Sequence, residues 1–403
     1  MDYIDVSAHT VWQPKISTSS KAPVFTPSNH SINKETLRSV FAVSAVVDFD
    51  QKIQIYRRMV QAIPNSVEAW SHLGYYLARA GQLQEALGAY AKSLYIRPKA
   101  PRIWYNYATL LENLGCYGEA VSSYQQALVI SPSYFKAMSG KSKNLFKLGR
   151  YQEAVASYDQ ALNSPLSQGT NAAELWYGRG KALSKLQKVE DAISSFERAL
   201  AIAPHAHKVW ASLGQALMHQ QKDAEALSKF EKALKLEPTS TLYWTYKGFL
   251  LKRQGRYAEA LDAFNEALFL SPADSKIWHH HGLTLINMKC YSDAHDSFKR
   301  ALQHQAYDHK SWLSLGWALE KMGDYEQAIE AYNKSLSIEP DQSFAFYRQA
   351  RCYAMLKQNH SAVEHLRRAI ALHPETYIPR SQIDSAFREV HTKALLAGVP
   401  ATA

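Results

Sequence analysis

The sequence predicts an all-α chain, an α-solenoid of stacked antiparallel helix pairs, on three observations. A 34-residue pattern recurs, and its tidiest copy runs from Thr241 to Asp274. In that copy Trp244, Gly248 and Leu251 share one helical face, and Ala260, Phe264 and Ala267 share another, with Gly255 between the sets and Pro272 after them. No alternating strand pattern appears. One helix pair cannot bury both stripes, so such a unit makes sense only as a member of a stack.

Taken in order, residues 1–30 are rich in Ser, Thr and Pro without a period, and are expected to be a disordered tail. Residues 31–66 carry a worn unit. Tyr56 holds its aromatic place and Pro64 closes it, but Lys52 stands where a small residue belongs, so a degenerate capping repeat is expected. Nine clear units fill 67–374. They start at Val67, Pro101, Phe135, Ala173, His207, Thr241, Ser275, His309 and Ser343. Position 4 is Trp in seven of them, position 8 is small throughout, and position 20 is always Ala. Position 24 is a Tyr or Phe ring until Leu366 in the last unit. Small residues let two backbones approach, and the ring fills the space toward the next unit. An insertion within 164–172 lengthens the joint between the third and fourth units, where a bend is expected. Residues 375–396 read as a capping helix with Ile383, Phe387 and Val390 on its apolar face, and 397–403 as a loose tail.

The pattern W-x2-L-G-x2-Y followed by A-x3-F-x2-A and a closing Pro resembles the tetratricopeptide repeat. The resemblance covers Val67 to Pro374, with Leu usual at position 11 and with Leu166 and Ala306 replacing two closing prolines. It implies a right-handed superhelix whose first helices line a concave groove, where partner peptides lie.

Composition excludes several classes. The longest apolar run, about Phe41 to Val47, is far short of a membrane span. Acids at Asp2 and Asp5 argue against a secretory signal. Cys116, Cys290 and Cys352 make no disulfide framework, and reduced thiols in the cytoplasm are expected. Neither a phosphate loop nor a CxxC or HExxH motif is present, so no enzyme, cofactor or metal is expected. The run His279-His280-His281 cannot converge on one ion, because adjacent helical residues diverge by about 100°.

What remains is the groove. Positions 2, 5, 9, 12 and 13 of the nine units hold fourteen basic residues and four acids, Glu68, Glu112, Glu174 and Glu320. Five of the fourteen, Arg79, Lys147, Lys185, Arg253 and Lys321, sit at position 13, where the helix dipole alone favours cations. The candidate partner-binding residues are Arg102, Tyr105, Asn106, Lys136, Lys143, Tyr177, Lys181 and Lys208, then Phe249, Lys276, Lys310, Trp317, Tyr347 and Arg351. Asn106 and Lys136 match part of the family's two-carboxylate clamp. Ser71, Tyr75 and Gly140 replace the rest, so that mode is not expected.

The expected function is a non-catalytic scaffold for an extended acidic or acidic-aromatic segment of a partner protein. Two alternatives stand beside it. One is an assembly factor for a larger complex, membrane complexes included. The other is single-strand nucleic-acid binding, invited by a net charge of +10. Against that last reading, most groove cations are lysine and no base-reading code repeats.

Overall fold

A computed structural model describes residues 49–388. The expected tails 1–30 and 397–403, the first part of the worn unit (31–48) and 389–396 with Val390 lie outside the described residues. Every regular element among the described residues is helical. Helix α1 (Phe49–Ala62) precedes nine pairs: α2 (Val67–Arg79) with α3 (Leu83–Ile96), α4 (Pro101–Asn113) with α5 (Tyr117–Ile130), and α6 (Phe135–Lys147) with α7 (Tyr151–Leu162). Then come α8 (Gly169–Lys185) with α9 (Val189–Ile202), α10 (His207–His219) with α11 (Asp223–Leu236), and α12 (Thr241–Arg253) with α13 (Tyr257–Leu270). The last pairs are α14 (Ser275–Asn287) with α15 (Tyr291–His304), α16 (His309–Met322) with α17 (Tyr325–Ile338), and α18 (Ser343–Met355) with α19 (Asn359–Leu372). Each helix packs on the next in the chain, and successive first helices touch along most of the array, so the chain is the expected α-solenoid.

The repeated residues explain the packing. Position 20 is fully buried wherever it occurs, as at Ala86, Ala226 and Ala362. The rings Phe196, Phe230, Phe264 and Phe298 at position 24 are buried to within 1%. Each contributes roughly 1.5–3 kcal/mol by leaving water. The small residue at position 8 is what admits them. A Cβ added to Gly248 would stand 2.8 Å from Phe264 Cε1, closer than carbon atoms tolerate.

Tryptophan at position 4 adds a tether between units. Trp70, Trp104, Trp210, Trp244, Trp278 and Trp312 each donate Nε1–H to the backbone carbonyl six residues earlier, at 2.8 Å. Trp176, just after the insertion, makes no such bond. Its ring is instead flanked by the guanidiniums of Arg198 at 4.6 Å and Arg179 at 5.6 Å.

Position 15, in the turn inside each pair, takes a left-handed backbone. Gly81, Gly115, Gly149, Gly255 and Gly323 meet this need, but Gln187, Gln221, Lys289 and Lys357 hold φ of 59–64° with a side chain. Left-handed backbone strains any residue with a Cβ. Changing those four residues to Gly is expected to stabilise the array by about 0.5–1 kcal/mol each. A denaturation midpoint that falls in the fourfold variant would contradict the strain argument.

The C-terminal cover differs from expectation in detail. Helix α20 (Pro374–Ile383) is followed by a 3-10 turn (Ser385–Phe387). Ile383, assigned to the apolar face, is 85% exposed. The covering contacts come instead from Tyr377, whose ring stacks on Tyr347 at 5.0 Å, and from Phe387, edge-on to the same ring at 5.7 Å. Pro379 lies inside α20, and Asp384 starts the turn by accepting from the Ala386 N–H. The helix runs through Pro379 to Ile383, and the chain turns at Asp384, short of the even helical face expected over 375–396.

Candidate functional site

Residues three and four apart share a helix face, so positions 2, 5, 9, 12 and 13 of each first helix form one surface. Contacts between successive first helices place it on the side where units meet. Lys143 Nζ lies 3.1 Å from Glu174 Oε2, and Lys181 Nζ sits 4.9 Å over the Phe146 ring. Gln215 Nε2 donates to Tyr246 Oη at 3.0 Å, and the Phe249 and His280 rings meet at 5.9 Å. The face is continuous from unit to unit.

All four of its acids are occupied within the chain, so the charge left unpaired on the face is cationic. Glu68 pairs with Arg97 at 3.2 Å and Glu174 with Lys143. Glu112 accepts from Lys147 Nζ and Asn144 Nδ2, each at 2.9 Å, and from Tyr124 Oη at 3.2 Å. Burial would raise its pKa, but these donors outweigh it and hold the carboxyl below its ordinary range. Glu320 is buried and pairs with Arg348 and Arg351.

The cations divide accordingly. Lys143, Lys147, Arg253 and Arg351 each face a carboxylate of the chain. Arg102, Lys136, Lys181, Lys185, Lys208 and Lys276 form no ion pair among the described residues, and all six are exposed. Lys310 is exposed too, and its backbone N–H donates to Asp308. Lys181 lies against the Phe146 and Tyr177 rings, and Lys185 and Lys208 are close enough to add repulsion. Desolvation, then those two charges, lowers its pKa. An anion placed among the three would relieve that cost.

Two of the predicted groove residues prove to be internal. Tyr347 is fully buried under α20 and donates its hydroxyl to Asp384 Oδ2 at 2.6 Å. Arg351 is half-buried and pairs with both Glu320 and Asp384. Both occupy groove positions, but α20 and the 3-10 turn after it cover them. The predicted rings differ among themselves. Tyr105 is half-buried against Tyr134 at 5.3 Å, with Asn106 half-buried beside it. Tyr177 is half-buried near Phe196 at 6.1 Å. Phe249 carries Lys252 Nζ at 5.6 Å and the Arg253 guanidinium at 6.0 Å. Trp317 is half-buried, faces the Arg348 guanidinium at 5.4 Å, and its Nε1–H has no acceptor.

The three adjacent imidazoles diverge. His279 Nδ1 meets Ser311 Oγ at 2.9 Å, His280 stacks on Phe264 at 6.3 Å, and His281 Nδ1 meets Ser297 Oγ at 3.0 Å. Burial pushes the pKa of His280 down to about 3 and that of His281 to about 4, and lowers that of His279 as well. At neutral pH they are uncharged and add nothing to the cationic face.

Sequence reading missed the link between positions 12 and 24. Glu112 and Glu320 stand at position 12 of units whose position 24 is Tyr, and each accepts that hydroxyl. Units with Phe at position 24 have Ser184, Met218, Lys252 or Ile286 at position 12, and the units of Tyr90 and Tyr158 have Ala78 and Phe146 there. The coincidence of Glu with Tyr twelve residues later was the available signal.

Family models described as tetratricopeptide repeat match residues 53–101, 101–134, 140–207, 177–241, 241–274, 309–342 and 344–376. The unit beginning at Ser275 falls between two matches yet forms the same helix pair. A search of curated proteins returned no match. Among solved structures, the C-terminal part of a TPR repeat-containing protein from Cytophaga hutchinsonii is 18% identical, covers 60% of this chain and 98% of its own, and superposes with a TM-score of 0.52. YrrB, described as a TPR protein with an unusual peptide-binding site, is 22% identical over 50% of this chain and 98% of its own, with a TM-score of 0.41. At these identities the likeness is one of fold.

Proposed function

This chain belongs to the tetratricopeptide repeat family, and from that premise we propose that its inner face binds an extended, acidic or acidic-aromatic segment of a partner protein. The repeat is a non-catalytic interaction fold, so the protein acts as a scaffold. The observation that carries the acidic preference is the imbalance of pairing. Every carboxylate on the face is bound within the chain, while Lys136, Lys181, Lys185 and Lys208, along three successive units, have no carboxylate partner among the described residues. Such groups attract anionic segments and steer their approach. Among the described residues no helix is long and apolar enough to cross a membrane. The three thiols are free, which is compatible with a cytoplasmic setting.

Combined Lys136→Glu, Lys181→Glu and Lys208→Glu substitutions should weaken capture of an acidic peptide at least tenfold, about 1.4 kcal/mol, without unfolding exposed helix positions. Binding should also weaken as salt rises. Undiminished binding by the triple variant, or an RNA oligonucleotide that displaces the peptide, would overturn the reading.

A further inference from the structure

Position 9 of the first helices forms a row down the middle of the inner face, and its chemistry changes partway along. In the third, fourth and fifth units it reads Lys143, Lys181 and Gln215. In the next three it reads Phe249, Leu283 and Trp317, all half-buried. The row crosses the joints between units. Lys181 touches the preceding unit through Phe146, and Phe249 touches the following one through His280. The two stretches therefore belong to one track rather than to separate patches.

The apolar stretch is partly built for a guest. Cations frame Phe249, with Lys252 and Arg253 near its ring, and Arg348 lies over one face of Trp317. An aromatic or aliphatic side chain laid along this row would cover half-exposed ring surface, and rings are among the groups that hold interfaces most strongly. A purely acidic segment would satisfy the lysines and leave this stretch uncovered.

We infer that the groove reads a bipartite segment, acidic residues over the third to fifth units and aromatic or large aliphatic residues over the sixth to eighth, at a spacing fixed by the units. The inference rests on the groove reading above and adds a register to it. Neighbouring helices stand about 8–10 Å apart, so Lys181 and Phe249, two units apart, are roughly 16–20 Å from each other. An extended chain advances about 3.3 Å per residue. The acidic block and the first apolar residue should therefore lie about five or six residues apart, and a second apolar residue about ten to twelve, to reach Trp317.

The test uses the full chain and labelled synthetic peptides of one length, measured by fluorescence anisotropy. One peptide carries four acids only. Others carry the same acids with a tryptophan at zero, three, six or nine residues beyond them. The six-residue spacing should bind about tenfold tighter than the acid-only peptide and tighter than the other spacings. Phe249→Ala with Trp317→Ala should remove that advantage and leave acid-only binding intact. The spacing series on the unaltered protein stands even if those variants fold poorly. Equal binding at all spacings, or no gain from tryptophan, would overturn the bipartite register while the acidic groove survives. Failure of every acidic peptide to bind would overturn the groove reading itself.

Discussion

Glu320→Ala is expected to destabilise the last two units by about 3–5 kcal/mol. The Glu320 side chain is only 4% exposed, and Arg348, whose Nε lies 3.0 Å from it, is 8% exposed. That approach lacks hydrogen-bond alignment at Nε, so charge proximity is what holds it. Arg351 Nε donates to the other oxygen at 3.1 Å, and Tyr332 Oη donates at 3.0 Å from a fully buried ring. Removing the acid leaves a buried guanidinium uncompensated and a buried hydroxyl without its acceptor. Breaking such a site from one side costs far more than the intact pair contributes. Asp384 remains to hold Arg351 but is not paired with Arg348. In a stack each unit depends on its neighbours, so the loss should appear as faster amide exchange in α16 to α19, with the early units unchanged. Uniform exchange across the array, or a change below about 1 kcal/mol, would show that the ion pairs are incidental.

Phe230→Ala should cost about 3–5 kcal/mol at the centre of the array, through lost burial and the cavity left behind. Phe230 is fully buried, stacks on Tyr246 at 4.9 Å with ring planes 18° apart, and abuts the backbone of Gly214. A Cβ on Gly214 would stand 2.8 Å from Phe230 Cε2. Gly214→Ala alone is therefore expected to lose about 1–3 kcal/mol to overpacking, set against about 1 kcal/mol of gained helix propensity. With the ring gone the clash disappears, and Gly214→Ala should stabilise the Phe230→Ala variant by about 1 kcal/mol. Chemical denaturation of the four proteins closes this cycle. Additivity within about 0.5 kcal/mol would mean that the ring does not dictate the small residue.

That dependence is why so much of the fold was legible in the sequence. Gly248 and Phe264 are sixteen residues apart and answer to one steric condition, which each unit meets again with its own pair. The cationic row was legible for a similar reason, since it needs only helical spacing. Pairing was not legible. Glu112 and Glu320 read as groove acids because periodicity shows which way a residue points, not what its side chain reaches. Tyr347 and Arg351 read as groove residues because the repeat carries their positions past the point where regular stacking stops. There α20 and the 3-10 turn that Asp384 starts lie over them.

The missing indole bond at Trp176 has a mechanical meaning. Elsewhere an indole hydrogen bond buckles each of these tryptophan-bearing units to the chain just before it. After the insertion the buckle is absent, and the joint is spanned by Lys143 to Glu174, Lys181 to Phe146, Arg179 to Asp159 at 2.6 Å and the Tyr158 ring packed against Gly178. The joint so held lies beneath the lysines that would grip a partner. A segment seated there would touch the units on both sides of the insertion at once, so its affinity and the packing of those two units would be coupled.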